Sequence, residues 1–408
     1  MGEKKDILFL CQFFYPEYVS SATLPYDTAL ALQKAGFQVD ALCGYPYKYA
    51  REEQTPLRET VGGIGIRRLK YIRNLKKGKL DRMLSFFSFT AAAFLHLPEM
   101  AKYRSVVVYS NPPILPWVAA CAKKLFGTKL IFVAYDLYPE VAVQTHVLGE
   151  CSLVSRVMKH INNFVFRNAD RVVALSEEMK TFILANRPIT ADRVQVIPNW
   201  YADQGLRSGC REDNLFREHA KGRFVVSYFG NMGTAQDMQT ILDTIRLMKA
   251  EDVWFLFAGH GNKLEILRQT VAEEGITNVE IRDFLHGRDF QDALEISDAA
   301  FVCLERGITG LCVPSKTYSY MMQGLPLLAI MDESDIVRDI QAGAGCWVRN
   351  GESEKLAEHI RFMRDNPEKT KAMAEICRRL YLEKYTLEGC TEQYTDMFRE
   401  ILLSENKE

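Results

Sequence analysis

Residues 224–250 read FVVSYFGNMGTAQDMQTILDTIRLMKA, and this stretch indicates the fold of the chain. An apolar run comes first, the short glycine-bearing GNMG follows, and the remainder has the spacing of an amphipathic helix. Strand, tight loop and helix in this order build parallel α/β domains. Glycines at such a loop let main-chain N–H groups approach an anion, so Gly230, Asn231 and Gly233 are predicted to bind phosphate. A plain tight turn is the alternative.

The same alternation continues outward in both directions. The runs ILFLC (7–11), SVVVYS (105–110) and KLIFVA (129–134) are apolar throughout, which is typical of strands buried on both faces of a parallel sheet. A polar, glycine-bearing segment at 201–222 interrupts the pattern. The sequence therefore predicts two Rossmann-like α/β domains, 1–200 and 223–385, which face each other across a cleft and are joined by the linker 201–222. A last helix at about 386–408 is predicted to pack back on the first domain.

Composition excludes several classes of protein. The 408 residues carry a net charge of -1, so no global field attracts nucleic acid. Ten scattered cysteines without a CxxC pair predict free thiols in a reducing cytosol, and no metal site is expected. The N-terminus lacks the layout of a signal peptide. No run approaches the roughly 18 apolar residues that span a bilayer. These features predict a cytoplasmic protein.

A second phosphate contact is predicted in CVPSKTYSYMMQGLPLLA (312–329). Ser315 has the character of a helix N-cap, and Lys316 then lies in the first turn, where the helix dipole disfavours a cation. A bound diphosphate would offset that cost, so both residues are predicted donor contacts and Lys316 a catalytic group. A solvated lysine on a short helix is the alternative. His260, in the loop GHG, is a further candidate contact to the nucleotide.

Acceptor contacts are predicted in the first domain. The segment YDLYPEVA (135–142) directly follows a strand, where ligands of α/β proteins bind. Asp136 and Glu140 would hold acceptor hydroxyls, and Asp136 would assist proton transfer. The alternative is structural: Asp136 would form a local turn, and Glu140 would belong to a first helical turn. Ser20 and Ser21, in the loop after the first strand, would line the acceptor site or serve as N-caps.

A basic segment, Arg67–Arg82, carries eight basic residues and one acid and precedes an apolar stretch, 83–97. Basic residues beside apolar ones favour docking on an anionic bilayer surface. One interpretation of Arg67–Leu97 is therefore a membrane-docking segment. A solvated loop before an ordinary core helix is the alternative.

The ordered set of motifs resembles the GT-B glycosyltransferases of family 4. It comprises GNMG, DLYPE, ADRVVALSEEM, VQVIPNW and PSKTYSYMMQGLPLLA. DLYPE and PSK look like the bacterial branch that builds O-antigens, capsules and exopolysaccharides, including N-acetyl-L-fucosamine transferases. The resemblance implies retaining hexosyl transfer from a UDP- or GDP-sugar to a lipid-linked glycan, without a metal or other cofactor. It places the donor diphosphate against the glycine loop and Lys316.

The sequence departs from that family at several positions: Thr234 and Gln236 replace an arginine and a lysine, Tyr135 replaces a histidine, and two glutamates are missing. Many relatives carry two glutamates separated by seven residues, the second of which holds the donor ribose; here Leu311 and Ser319 stand at those places. Ser319 is among the predicted donor contacts, but a serine in place of the glutamate implies weaker recognition of the ribose or a changed nucleotide. This departure motivates an alternative function, a catalytically impaired nucleotide-sugar-binding or partner subunit. A nucleotide-sugar 2-epimerase of the same two-domain plan is the third hypothesis.

Overall fold

The computed structural model describes residues 4–46, 55–73, 79–206 and 210–403. It divides the chain into two compact units. The first comprises Met1–Asn199, Gly310–Val313 and Leu387–Glu408; the second comprises Trp200–Thr309 and Pro314–Thr386. The sequence places the boundary after residue 200, and the structure places it after Asn199. The sequence analysis places the short segment 310–313 in the second domain, whereas the structure assigns it to the first unit.

The first unit contains a mainly parallel sheet of eight strands among the described residues, in the order β3-β4-β2-β1-β5-β6-β7-β8. Only the β3–β4 pair is antiparallel in that sheet as described. The strands are β1 (Lys5–Cys11), β2 (Val39–Gly44), β3 (Arg58–Val61), β4 (Ile64–Leu69), β5 (Tyr103–Tyr109), β6 (Lys129–Val133), β7 (Arg171–Ala174) and β8 (Val194–Val196). The hairpin β3–β4 was not predicted.

Helices pack against this sheet, whose continuously apolar strands are buried. They are α1 (Ser20–Lys34), α2 (Lys79–Leu95), α3 (Leu97–Met100), α4 (Leu115–Phe126), α5 (Glu140–Gln144), α6 (Leu153–Asn168) and α7 (Glu177–Asn186), with a 3-10 turn at Ala191–Arg193. Phe132 of β6 packs edge-on against Phe166 of α6, with ring centroids 5.4 Å apart. The core of the unit lies at this interface between sheet and helices.

The second unit contains a parallel sheet with the order β11-β10-β9-β12-β13-β14. Its strands are β9 (Phe224–Asn231), β10 (Val253–His260), β11 (Val279–Arg282), β12 (Ala299–Cys303), β13 (Leu327–Ile330) and β14 (Gly345–Val348). Its helices are α8 (Arg217–Ala220), α9 (Met238–Leu247), α10 (Asn262–Glu273), α11 (Gly287–Glu295), α12 (Lys316–Met322), α13 (Asp335–Asp339), α14 (Ser353–Asp365) and α15 (Pro367–Lys384), with a π turn at Ile340–Ala344. In its core the Phe301 ring lies nearly parallel to the rings of Phe255 and Phe257, with ring centroids 6.2 and 6.5 Å away.

The last described helix, α16 (Leu387–Leu403), lies with the first unit. Phe398 on α16 packs against Phe37, with ring centroids 6.3 Å apart. The Arg104 guanidinium donates a hydrogen bond to the Leu402 carbonyl. The predicted fold class, two α/β domains built on parallel sheets, is thus confirmed.

Parts of three predicted segments lie outside the described residues: 74–78 of the basic segment, 207–209 of the linker and 404–408 of the last helix. None of the helices in the described ranges combines the length and apolar character that crossing a bilayer requires.

Candidate functional site

The carboxyl ends of β9 and β10 lie side by side in the second unit. Gly230 pairs in register with Gly259, and Asn231 pairs with His260, the last residue of β10. Both Asn231 and His260 are exposed. In a parallel α/β sheet this edge is where ligands bind, because the loops leave the strands there. The structure therefore brings three of the predicted donor contacts, Gly230, Asn231 and His260, to one strand edge.

Lys316 lies directly against this edge. A methyl group added at Gly230 would come within 2.5 Å of the Lys316 Cε, so the lysine stem fills the space that a side chain would need. Gly230 also has a φ of +134°, which favours glycine. The side chain of Lys316 is half-buried, and burial lowers its pKa below the ordinary value for lysine. Among the described residues the amine has no hydrogen bond or ion pair, so its charge is available to an anion.

Tyr320 holds α12 against β9 and thereby sets the position of Lys316. Its buried hydroxyl accepts a hydrogen bond from the Phe229 N–H at 2.7 Å. The described pairing of β9 with β12 ends at Ser227. The Tyr320 hydroxyl therefore binds a main-chain N–H of β9, that of Phe229, which lies past the end of this pairing. Sequence analysis missed this positioning residue, because a tyrosine in an apolar helix usually indicates core packing alone.

An aromatic side chain that the sequence analysis missed completes the group. Phe284 follows β11 and is half-buried. The Lys316 amine lies 5.9 Å from its ring centroid, and the rings of His260 and His286 lie 6.0 and 4.8 Å from it. Its position after a strand was the only available signal. In such an arrangement the cation can bind a phosphate, and the partly exposed rings can stack on a nucleotide base. We call Gly230, His260, Phe284, His286 and Lys316 the strand-end cluster.

The glycine loop differs from its prediction. β9 continues through Gly230 and Asn231, and α9 begins only at Met238, so the glycines do not adjoin the helix. The N-cap of α9 is Asp237, whose buried carboxylate accepts hydrogen bonds from Thr240 N–H at 3.0 Å and from Asn350 at 2.7 Å. The amino end of α9 is therefore already satisfied by a carboxylate, which corrects the expectation that it meets the donor phosphates.

Two amides of the same loop are also engaged within the protein. The Met232 N–H donates to the His260 carbonyl at 2.7 Å, and the Gly233 N–H donates to the Gln236 side chain at 2.9 Å. The Asn231 side chain lies over Gly233, whose added methyl group would be 3.0 Å from it. Gly233 is thus a close-approach position within the loop, and the exposed groups at the edge are Asn231 and His260.

The two predicted serine contacts on α12 are placed differently. Ser315 occupies the N-cap position in a helical conformation, and its side chain makes no capping hydrogen bond, so its predicted capping role is wrong. Ser319 is buried, and its hydroxyl donates to the Lys316 carbonyl at 2.8 Å. A ribose contact from Ser319 would require that hydrogen bond to break. Leu311 packs into the core of the first unit.

Asp136 lies beyond the carboxyl end of β6 in the first unit, as predicted for an acceptor contact. Its N–H donates to the buried Ser110 hydroxyl at 2.9 Å, and it forms an isolated antiparallel bridge with Cys312. The adjoining Leu137 N–H donates to the Leu311 carbonyl at 2.8 Å. The turn is therefore fixed by main-chain bonds to the segment 310–313, and the Asp136 side chain is half-buried.

Glu140 serves a different partner from the one predicted. It begins α5 and forms an ion pair with Arg187, whose side chain is 0% exposed. Arg187 also donates to the Tyr138 carbonyl at 3.1 Å. A buried guanidinium needs such a counter-charge. The observed contact therefore gives Glu140 a structural role as the counter-ion of Arg187.

Ser20 and Ser21 form the first turn of α1, after the loop that leaves β1. The N-cap is Val19, so the alternative that the serines cap the helix is wrong. Ser20 is exposed and Ser21 half-buried. Neither helix-capping nor core packing accounts for them, and they remain predicted acceptor contacts.

No group of three or more His, Cys, Asp or Glu side chains that could hold a metal ion occurs in the part of the chain that the structure describes.

Comparison with known families matches both units. Residues 22–200 match the family "Glycosyl transferase 4-like domain", and residues 223–366 match "Glycosyl transferases group 1". The protein named "Probable glycosyltransferase WbjE" of Pseudomonas aeruginosa is 30% identical over 286 residues, which cover 68% of this chain and 71% of that protein. The protein named "Putative colanic acid biosynthesis glycosyl transferase WcaI" of Escherichia coli K12 is 20% identical over 287 residues, 68% of each chain.

Solved structures share the whole two-unit fold. The crystal structure of HepE from Anabaena in complex with UDP and glucose covers 97% of this chain and 100% of its own, with a TM-score of 0.73 and 17% identity. The crystal structure of WaaG, a glycosyltransferase involved in lipopolysaccharide biosynthesis, covers 96% and 99%, with a TM-score of 0.68 and 14% identity.

Proposed function

This chain belongs to family 4 of the GT-B glycosyltransferases, and on that premise we propose that it is a retaining hexosyltransferase of bacterial surface polysaccharide synthesis. The donor is a nucleotide-diphosphate sugar of the UDP or GDP type, and the acceptor is a lipid-linked glycan. Support for the donor class comes from HepE, whose crystal structures contain UDP and UDP-glucose. Support for the pathway class comes from the names of WcaI and WaaG.

The observation that carries the proposal is the half-buried amine of Lys316 against Gly230, to which the described residues supply no hydrogen bond or ion pair. In this proposal the amine binds the donor diphosphate and stabilises the charge that develops on the leaving β-phosphate. A preformed cation in a partly desolvated place does this more strongly than one in water. No protein carboxylate need form a covalent intermediate, because the acceptor attacks on the face from which the nucleotide leaves. We propose that transfer needs no metal ion.

The nucleotide itself would lie on the strand-end cluster. Phe284 offers a partly exposed ring face for the base, and His260 and His286 stand beside that ring with donors and acceptors for ribose or base. This arrangement takes the place of the ribose-binding glutamate expected from the family. Asn231, a residue of the glycine loop, is exposed at the same edge.

The acceptor contacts of the proposal are Asp136, Ser20 and Ser21. All three follow strands of the first sheet at its carboxyl edge, Asp136 after β6 and the serines after β1. Asp136 would bind the attacking hydroxyl and accept its proton.

Acceptor-dependent release of nucleotide tests the proposed activity. The protein is mixed with UDP- and GDP-linked hexoses, an N-acetyl-L-fucosamine donor included, with and without a lipid-linked glycan. We expect the nucleoside diphosphate to be released only when donor and acceptor are both present, and the product to keep the anomeric configuration of the donor. Inversion at the anomeric carbon, or no release with any donor, would contradict the proposal.

The second candidate function is a nucleotide-sugar-binding subunit without turnover. It is favoured by one specific observation: the two glutamate positions of the family hold a core leucine, Leu311, and a buried serine, Ser319. Binding of a donor, seen as a rise in melting temperature, without release under any acceptor condition would support it. A changed sugar on an intact nucleotide would instead support the 2-epimerase.

We also propose that the first unit docks on the inner membrane face through α2. Met83, Leu84 and Phe87 on this helix are 49%, 51% and 55% exposed, whereas Phe89 is fully buried. An apolar face turned to solvent beside basic residues is typical of helices that lie in the bilayer interface.

Fewer basic side chains are available to bind lipid headgroups than the sequence suggests. Arg67 and Arg68 lie in β4 and are paired with Glu99 and Glu59, and the side chain of Arg68 is 0% exposed. Paired and buried cations do not bind lipid headgroups. The lysines at 76 and 77 fall outside the described residues.

Sedimentation with vesicles tests the membrane proposal. Leu84→Gln with Phe87→Gln should release the protein from vesicles of phosphatidylglycerol and phosphatidylcholine, because the change removes apolar groups from the exposed face of α2. Leu382→Gln, at a leucine of the second unit that is 51% exposed, is the matched control and should not change binding. Equal sedimentation of all three proteins would remove the proposal.

A further inference from the structure

A basic cavity lies at the amino edge of the first sheet, the edge opposite to Asp136. Lys129 begins β6, Arg171 begins β7, and Arg193 directly precedes β8. These strands are parallel neighbours, so their first residues meet at one edge. The cavity between them has a volume of about 400 Å³. We call it the basal pocket. None of its residues takes part in the proposed transfer.

The charge of the basal pocket is strongly unbalanced. Its lining contains five cationic side chains and two carboxylates, an excess of three positive charges in a protein whose net charge is -1. The charged residues are Lys123, Lys129, Arg167, Arg171 and Arg193, with Asp170 and Glu400.

Both carboxylates already have cationic partners. Asp170 accepts hydrogen bonds from the Lys123 amine at 2.6 and 2.7 Å and from the Leu130 N–H at 2.8 Å. Glu400, on α16, accepts from Arg171 at 3.0 Å. These two pairs account for Lys123 and Arg171 among the five cations.

Two of the remaining cations are open to a ligand, although a hydrogen bond from Thr190 and the nearby charges of Arg193 and Arg171 lower the pKa of the exposed Asp192 carboxyl. Arg167 and Arg193 are exposed, and neither side chain has a hydrogen bond or ion pair with another described residue. Each guanidinium presents a planar fork of N–H donors that matches the oxygens of a phosphate. Two exposed guanidinium groups that line one cavity are an arrangement suited to a polyvalent anion.

Helix dipoles explain only part of this arrangement. The carboxyl ends of α4 and α6 lie here, and Lys123 and Arg167 belong to their last turns, where a cation is favourable. Lys129 and Arg171 begin strands, where no helix end favours them, and Arg193 ends only a single 3-10 turn. Like charges gathered around a concave space repel one another, so the cluster is destabilising unless an anion binds.

We propose that the basal pocket binds a phosphate-bearing anion, either a free phosphate compound or the headgroup of an anionic phospholipid. The two sources share the chemistry that the pocket recognises, a tetrahedral group with several oxygen acceptors. A cavity of about 400 Å³ is larger than inorganic phosphate and admits a phosphorylated organic group. This inference does not rest on the proposed transferase activity.

The experiment measures the stabilisation that inorganic phosphate gives to the folded protein. It uses the Lys316→Ala variant, so that the strand-end cluster does not contribute, and it matches ionic strength with sodium chloride. Phosphate should raise the melting temperature in a saturable way. Arg167→Gln with Arg193→Gln should weaken phosphate binding by about tenfold or more, because two charge-assisted contacts are lost. Arg156→Gln, at an exposed arginine of the same helix α6, is the control and should leave binding unchanged.

A vesicle arm distinguishes the two sources. It uses phosphatidylglycerol vesicles and a protein that also carries Leu84→Gln and Phe87→Gln, so that α2 does not contribute. Vesicle binding that the arginine pair abolishes assigns the pocket to a headgroup, whereas phosphate binding without vesicle binding assigns it to a free phosphate compound. Phosphate stabilisation that is absent, or that survives loss of both arginines, would overturn the proposal.

Discussion

Lys316 in the second unit and Arg187 in the first are both cations withdrawn from water, but their surroundings differ. Arg187 is fully buried and has Glu140 and the Tyr138 carbonyl as partners. Lys316 is half-buried at an open strand edge, and its amine has no ion pair or hydrogen bond with another described residue. A buried charge with a built-in partner stabilises one conformation, whereas a charge without one is satisfied only when a ligand arrives. The difference separates a structural cation from a candidate catalytic one.

The strongest test of that difference is Lys316→Met, which keeps the length of the side chain and removes the charge. If the amine stabilises the leaving diphosphate, kcat/KM should fall by about 10²- to 10³-fold. The measurement is acceptor-dependent nucleotide release. Lys371→Met, at an exposed lysine of α15, should retain wild-type activity. Activity of Lys316→Met close to that of the parent would contradict the assignment of Lys316 to the phosphates.

Removal of the partner of Arg187 should act on stability. Glu140→Ala leaves a buried guanidinium without its counter-charge and should lower the free energy of unfolding by about 3 kcal/mol, as urea denaturation would measure. Glu354→Ala, at an exposed glutamate in the first turn of α14, is the matched control and should change it little. The folded Glu140→Ala protein should keep its KM for the acceptor. A raised acceptor KM with unchanged stability would return Glu140 to the acceptor site.

The contact between Gly230 and Lys316 gives a third test. In Gly230→Ala the new methyl group would meet the lysine stem and displace the amine, so donor affinity should fall by about tenfold, for the loss of one charge-assisted contact. Gly275→Ala also adds a side chain at positive φ, but nothing lies within 4 Å of that methyl group. It should cost about 1 kcal/mol of stability and leave donor affinity unchanged, as calorimetry with the nucleotide sugar would show. Equal losses of affinity in both variants would contradict the lysine–glycine contact.

The smallest expected effect concerns stability and pH. Burial lowers the pKa of Lys316, so the unfolded chain holds this proton more tightly than the folded one. The charged amine therefore destabilises the fold at neutral pH, and the penalty fades as pH rises through the folded pKa towards the ordinary lysine value. The Lys316→Met variant should melt at a slightly higher temperature than the parent at pH 7. The difference in melting temperature should disappear at alkaline pH, where the Lys316 amine is neutral. A variant less stable than the parent at pH 7 would place Lys316 among the structural cations with Arg187.

Most of the fold could be predicted from the sequence because its strands are continuously apolar and its turns carry glycine. The hairpin β3–β4 was missed because Arg67 and Arg68 look like part of a basic surface segment. Arg68 instead lies buried, paired with Glu59 and bonded to the carbonyls of Pro56 and Tyr15. Such burial depends on partners distant in the chain, and local composition does not show it.

The candidate site was predictable in part. The closeness of Lys316 and Gly230 follows from two motifs that both border strands of one sheet. Phe284 could not be distinguished from a core aromatic, because only the ring contacts with His260 and His286 reveal its place. The pairing of Glu140 with Arg187 spans 47 residues and depends on how α5 and α7 are placed. Sequence motifs thus locate strand ends, whereas the partners of each charge emerge only from the folded chain.

The division of the chain between the two units has a consequence for synthesis on the ribosome. The first unit is completed by Gly310–Val313 and by α16, which are translated after much or all of the second unit. Until residues 387–403 emerge, the face of the first unit near Phe37 lacks the helix that carries Phe398. The first unit therefore keeps apolar surface uncovered during the time in which all of the second unit has already been translated. A nascent chain of this design exposes apolar surface, to which chaperones bind, until α16 has emerged from the ribosome.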